Sequence, residues 1–85
     1  MENEILNRIY NLVLSRDIRD WERSQLMQAK LAIEAGQSVK RQCEQLEILF
    51  RPHAIRHTLT PQVDEFYQFM TNNKMFGPGI GNLYY

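Results

Sequence analysis

The sequence has a single cysteine, Cys43, and no excess of charge of either sign. One cysteine cannot form an intrachain disulfide or build a zinc site alone, which excludes a disulfide-stapled scaffold and favours a reduced, cytoplasmic setting. Ten basic side chains balance ten acidic ones. This balance argues against nucleic-acid binding and against a polybasic membrane anchor, because both need a basic excess.

Long apolar runs are missing as well. No uninterrupted apolar stretch exceeds three residues, whereas a membrane-spanning helix needs about 20. The first residues, Met-Glu-Asn-Glu, are acidic where a signal peptide would be basic. We therefore expect a soluble protein with neither a signal peptide nor a transmembrane segment.

The length of 85 residues allows one domain. Ordering each residue costs roughly 1.5 kcal/mol, which burial has to offset, and a chain of this size buries only about 60–65% of its unfolded surface. The chain is therefore expected to act through its surface rather than through an enclosed catalytic pocket.

Apolar residues recur with the period of an α-helix over most of the chain. The first predicted helix covers residues 2–15. The second covers about 18–35, with Asp17 as its N-cap and Gly36 as the C′ residue, since glycine adopts positive φ without penalty. On the first helix Tyr10 is expected on the apolar face.

The second half of the chain predicts two further helices. Ser38 is the expected N-cap of a third helix over 38–51, whose stripe includes Leu49. It is expected to stop or kink at Pro52, because proline lacks an N–H and disfavours a helical residue before it. A threonine–proline pair at 60–61 starts the fourth helix, which ends near residue 74.

These helices and their short connections predict an all-α protein, an antiparallel four-helix bundle. The bundle covers 1–75, and a Gly-rich C-terminal tail over 76–85 belongs to the same single domain. The tail ends in Leu83-Tyr84-Tyr85, and plain disordered segments avoid such residues. The rings of Phe76, Tyr84 and Tyr85 are expected either to pack against the bundle or to contact a partner, whereas those on the fourth helix are expected to fill the core.

Reactive chemistry finds little support in the sequence. His53 and His57 have a spacing that can place two imidazoles on one helix face, but further metal ligands are missing, so a surface pair is expected. Cys43 lies on the apolar stripe of the third helix, which indicates a buried core residue. The tail glycines indicate a tight turn rather than a phosphate loop, because only four residues follow Gly81 and no helix can start there.

Because basic side chains occur on several predicted helices, an enzymatic function stays open. Such residues can form an anion site across a bundle, as in the small helical chorismate mutases, which the opening Leu6-Asn7-Arg8-Ile9 faintly resembles. Most of them alternate with acids, which is typical of a solvated helix face. They are Arg8, Arg16, Arg19, Arg23, Arg51 and Arg56.

Residues 29–85 carry a likeness to a known family. A helix closes at 34–36, a leucine- and aromatic-rich stretch runs through 46–50, and the last helix holds Phe66 and Met70. The most specific element is the string at 79–84, Gly-Ile-Gly-Asn-Leu-Tyr. With these features the sequence resembles the immunity proteins for pediocin-like (class IIa) bacteriocins, the enterocin A immunity family.

The resemblance implies a left-turning antiparallel four-helix bundle in the cytoplasm, acting transiently at the inner face of the membrane. It implies a protein without cofactor that protects the producer cell from a pore-forming peptide. The partner would be the membrane part of the mannose phosphotransferase system once bacteriocin has engaged it. Matched onto this sequence, and with the terminal Tyr85 added, the partner-binding residues are Phe76, Gly77, Gly79, Ile80, Gly81, Asn82, Leu83, Tyr84 and Tyr85.

Two other functions stay open from the residues alone. One is a generic helical interaction module or adaptor, and the other is a small helical enzyme of the chorismate-mutase type. A monomer is expected in each case.

Overall fold

The computed structural model describes residues 2–72. These residues form four α-helices: α1 (Glu2–Leu14), α2 (Asp20–Glu34), α3 (Val39–Ile55) and α4 (Pro61–Asn72). Each helix packs against the next, and α4 closes against α1. The structure thus confirms the predicted all-α four-helix bundle. Within 2–72, no helix combines the length and the apolar character that a bilayer crossing requires.

Contacts between helix ends show that neighbouring helices run in opposite directions. The end of α1 lies beside the start of α4, where the Ser15 hydroxyl donates to Gln62 Oε1 at 2.7 Å. The start of α2 likewise lies beside the end of α3, where the rings of Trp21 and His53 have their centres 4.4 Å apart. Short connections favour this arrangement, because a helix that follows a tight loop returns along its predecessor.

The buried face of each helix matches most of the predicted stripe. Two predicted stripe residues are exposed instead: Tyr10 is 50% exposed and Leu49 is 46% exposed. Both sit at the border of their apolar faces, where a broad stripe meets solvent. The core consists of Ile5, Ile9, Leu12, Val13, Ile18, Leu26, Ala29, Val39, Cys43, Leu46, Phe50, Leu59, Val63, Phe66, Tyr67 and Met70.

The predicted start of the second helix is wrong. Asp17 lies in a bend, and α2 begins at Asp20 with Arg19 as its N-cap. The Arg19 N–H donates to Glu22 Oε1 at 2.8 Å, so the carboxylate three residues on closes the helix start. Ile18 precedes the helix and is buried, which anchors the loop to the core.

The predicted end of the second helix is confirmed. Gly36 has φ +100°, and the Gln37 N–H donates to the Ala32 carbonyl at 2.9 Å. This is the Schellman arrangement that a glycine at C′ favours.

The third helix starts as predicted but does not stop at Pro52. Ser38 Oγ accepts from the Arg41 N–H at 3.3 Å, and α3 runs to Ile55 with Pro52 inside it. Pro52 lies on the exposed side of α3, where its ring meets solvent rather than the core. The helix then closes on its last turn, with the Thr58 N–H donating to the His53 carbonyl at 2.8 Å.

The fourth helix starts at Pro61, as the sequence predicts. Its first bonds include the Asp64 N–H donating to the Thr60 carbonyl at 2.8 Å. Proline suits this first position, because the N–H it lacks would have no helical partner there. The predicted end near residue 74 lies outside the described residues.

Candidate functional site

A buried carboxylate fixes α3 against α4. Glu47 has no exposed surface. The Arg51 guanidinium donates to both of its oxygens, with Nε 2.8 Å from Oε2, and the Tyr67 hydroxyl donates to Oε2 at 2.7 Å. Such a charge is tolerated in a core only when it is paired and hydrogen-bonded. The hydrogen bonds among these three side chains therefore fix how α3 and α4 pack against each other.

A second buried carboxylate ties α2 to the start of α4. Glu22 has no exposed surface and accepts the Thr60 N–H at 2.9 Å together with the Thr60 hydroxyl and the Arg19 N–H. Sequence reasoning placed Thr60 at the helix start but missed this partner. The spacing of Glu22 three residues after an N-cap signals its bond to Arg19 but not its bonds to Thr60, and even that signal was hidden because the N-cap is arginine rather than serine or threonine.

The solvated face predicted for the arginines is found only in part: Arg16 and Arg19 are exposed, but Arg19 and Arg23 also donate to backbone carbonyls. Arg23 Nε donates to the Val13 carbonyl at 3.1 Å and its Nη2 donates to the Ser15 carbonyl, so this side chain caps the end of α1. Arg19 donates to the Thr58 carbonyl before α4. Both satisfy carbonyls that a helix end or a loop leaves without partners.

The structure also does not gather the arginines into one anion site. Arg8 stands at the α1–α4 border, 3.1 Å from Glu4 Oε2 and with its guanidinium carbon 3.8 Å from the centre of the Phe69 ring. Arg23 lies at the α1–α2 end, and Arg51 is engaged with Glu47 between α3 and α4. A bundle enzyme that binds a dicarboxylate would need such groups to point into one cavity.

The two histidines lie at the end of α3 and have different structural roles. The His53 ring packs on Trp21, with ring centres 4.4 Å apart. His57 follows the helix with φ +58° and takes the C′ place that glycine usually holds. Within residues 2–72, no group of three or more potential ligands could hold a metal ion.

Cys43 is a core residue, as its place on the stripe predicts. It has no exposed surface, and burial, with a smaller contribution from Glu44, raises the pKa of its thiol to about 12. A nucleophilic cysteine needs a lowered pKa and access to substrate, and Cys43 has neither.

A shallow groove lies between α1 and α4, with a volume of about 240 Å³. Leu12 and Phe66 form its apolar floor, and polar side chains surround them. An apolar centre inside a polar border is the composition of protein interaction surfaces. The polar lining residues are Arg8, Asn11, Gln62 and Glu65.

The aromatic residues of α4 behave as the sequence predicts for core residues. Phe66 and Tyr67 are buried, and Phe69 is half-buried beneath Arg8. The partner-binding residues predicted in the tail lie outside the described residues. They are Phe76, Gly77, Gly79, Ile80, Gly81, Asn82, Leu83, Tyr84 and Tyr85.

Comparison with known proteins identifies a matching family. Residues 1–75 match the model of a bacteriocin immunity protein family. The matched range includes residues 1–28 and stops before the tail residues at 76–85. No curated protein and no solved structure matches the chain.

Proposed function

The chain belongs to the bacteriocin immunity protein family, a non-enzymatic family, and we propose that it protects a producer cell from a pore-forming class IIa bacteriocin. The family match over residues 1–75 is the observation that carries this proposal. The buried thiol of Cys43 and the hydrogen-bonded carboxylates of Glu22 and Glu47 are consistent with a protein that acts by binding.

The proposed partner is the membrane part of the mannose phosphotransferase system when bacteriocin occupies it. The protein acts from the cytoplasmic side and blocks the lethal opening. A bound protein shifts the conformational equilibrium of its receptor only if it binds one state more tightly than the other. The proposal therefore requires higher affinity for the occupied receptor than for the free one.

The proposed contact residues are those of the tail, from Phe76 to Tyr85 without Pro78. Aromatic side chains supply much of the binding energy in protein interfaces, and the tail adds Phe76, Tyr84 and Tyr85 to the end of α4. The networks around Glu47 and Glu22 support this proposal, because they tie α4 and its start to α3 and α2 and so give the chain before the tail a defined scaffold.

A pull-down with tagged protein and receptor-containing membranes tests the mechanism. We expect about tenfold more receptor on the protein when bacteriocin is present, because the occupied state is the one bound. A sample without the peptide gives the baseline, and a bacteriocin variant that does not bind the receptor is the control. Equal recovery with and without the peptide would contradict the proposal.

A further inference from the structure

The outward side of α3 carries apolar side chains where a surface helix normally carries polar ones. Ile48 is 60% exposed, Ile55 is 52% exposed and Leu49 is 46% exposed, and Pro52 between them is also exposed. Positions 48, 52 and 55 are four and three residues apart, so they share one helix face. We call Ile48, Pro52 and Ile55 the α3 ridge. Leu49, one position after Ile48, faces the α2 side instead, where it lines a small cavity with Gln25 and Ala29.

The charge around the α3 ridge is positive, although the chain as a whole is neutral. Of the two acids of α3, Glu47 is buried and paired with Arg51, and Glu44, four positions before Ile48, lies on the ridge face. The helix and its cap contribute three further cations, and none of them forms an ion pair with a residue in the described part of the chain. These cations are Lys40, Arg41 and Arg56.

This charge distribution limits what can cover the α3 ridge. In a second copy of the chain, packed ridge to ridge, the three cations of each α3 and its cap would outnumber the one acid on the ridge face, so like charges would outnumber ion pairs across the interface and destabilise it. An anionic occupant is favoured instead. The exposed side chains of the ridge are aliphatic. They suit a lipid bilayer, whose interior is apolar and whose surface is negatively charged.

We propose that the α3 ridge docks on the anionic lipid surface of a membrane. Ile48 and Ile55 enter the boundary between headgroups and acyl chains, while Arg41 and Arg56 lie near lipid phosphates. Amphipathic helices with apolar and basic residues bind lipid surfaces in this way. Because the ridge spans about two turns, the binding is reversible and weakens as salt screens the charges.

This inference rests on the proposed function for its biological role, since it describes how the protein reaches the inner face of the membrane where its receptor lies. The two can fail separately. Vesicle binding is measured with the purified full chain and lipid alone, so it involves neither the receptor nor bacteriocin.

Co-sedimentation with vesicles tests the docking. We expect the full chain to bind vesicles of equal parts phosphatidylglycerol and phosphatidylcholine at low salt, and to bind phosphatidylcholine vesicles at least about tenfold more weakly. Exchanging both Ile48→Gln and Ile55→Gln lowers binding to the anionic vesicles by about tenfold. The matched control is Leu14→Gln with Leu31→Gln, because these residues are 64% and 55% exposed on other helices, and it binds within about twofold of the parent chain.

Thermal unfolding checks that each variant is folded. If the isoleucine variant does not fold, Arg41→Gln with Arg56→Gln replaces it and is expected to remove most of the salt dependence. Four results would overturn the proposal: no binding to anionic vesicles, equal binding to both lipids, unchanged binding of the isoleucine variant, or equal loss in the leucine control. Self-association of the parent chain without lipid, abolished by the isoleucine exchange, would assign the α3 ridge to a second copy instead.

Discussion

Glu22 and Thr60 are far apart in sequence but share two hydrogen bonds in the core. Periodicity assigns residues to faces and cannot pair two polar groups across helices, so this contact was not predictable. By contrast, the buried place of Cys43 was predicted, because a small apolar residue between Val39 and Leu46 fits the stripe.

Replacing Glu22→Gln should lower the free energy of unfolding by about 2–3 kcal/mol. Glu22 Oε2 accepts the Thr60 N–H and Oε1 accepts the Arg19 N–H, so in either orientation the amide NH₂ would face one of these buried donors, which would lose its acceptor. Urea denaturation measures the change. Glu44→Gln on the surface of α3 is the control and should change stability by less than about 0.5 kcal/mol. Equal effects of the two exchanges would contradict the role assigned to Glu22.

His57→Gly should stabilise the protein by about 0.5–1 kcal/mol. A non-glycine residue in the left-handed region costs about 1–2 kcal/mol, and His57 has φ +58°. Part of the gain is lost because glycine has more freedom in the unfolded chain. The neighbour Arg56 has φ −85°, so Arg56→Gly should destabilise instead. If both exchanges destabilise equally in urea, the conformational argument fails.

Cys43 should resist thiol reagents in the folded protein. At pH 8 we expect rapid reaction only after unfolding, because burial raises the thiol pKa to about 12. The contribution of Cys43 to stability is complete below its ordinary pKa of 9.0 and declines as the pH rises toward 12, since the unfolded state ionises first. Comparing the alkaline unfolding of the parent chain with that of Cys43→Ala isolates this contribution. Fast labelling of the native protein would contradict it.

At the level of elements, the sequence predicted helix identity better than helix ends. Gly36 marks the end of α2 and Pro61 marks the start of α4, because each residue type has a backbone conformation suited to that position. Both predictions are confirmed. The start predicted at Asp17 is wrong because Glu22 closes α2 at Arg19. The helix α3 does not stop at Pro52, and in the turn that follows Pro52 the His53 ring packs on Trp21.

Pro52→Ala should raise the free energy of unfolding by about 2 kcal/mol. The exchange gives position 52 an N–H that can donate to the Ile48 carbonyl and removes the ring from the helix interior, partly offset by a more flexible unfolded chain. The matched control is Pro61→Ala at the first position of α4, which should cost about 0.5 kcal/mol. Urea denaturation distinguishes the two. A loss of stability in Pro52→Ala would show that the ring makes contacts the helix needs.

At the scale of the whole molecule, the fold was predictable because four apolar stripes with short connections leave few arrangements. The uneven charge around the α3 ridge was not predictable from the sequence. Composition gives a net charge of zero, and only the folded chain shows which acids are buried. The predicted contact residues at 76–85 stay a prediction, because they lie beyond the part of the chain that the structure describes.

Truncation after Lys74 separates the scaffold from the proposed contact residues. The helices of residues 2–72 carry a core that runs from Ile5 to Met70, so we expect circular dichroism and thermal unfolding to change little. Protection of cells is expected to disappear. Unfolding of the shortened chain would mean that the tail is chiefly a packing element, and the contact residues would then have to be sought elsewhere.

The central claim, that this chain confers immunity, is tested most directly by expressing it in a bacteriocin-sensitive strain and measuring growth against a panel of pediocin-like peptides. The account predicts that the full chain protects against at least one peptide and that the chain ending at Lys74, present at the same level, protects against none. Cells that express the full chain and stay sensitive to every peptide would contradict it.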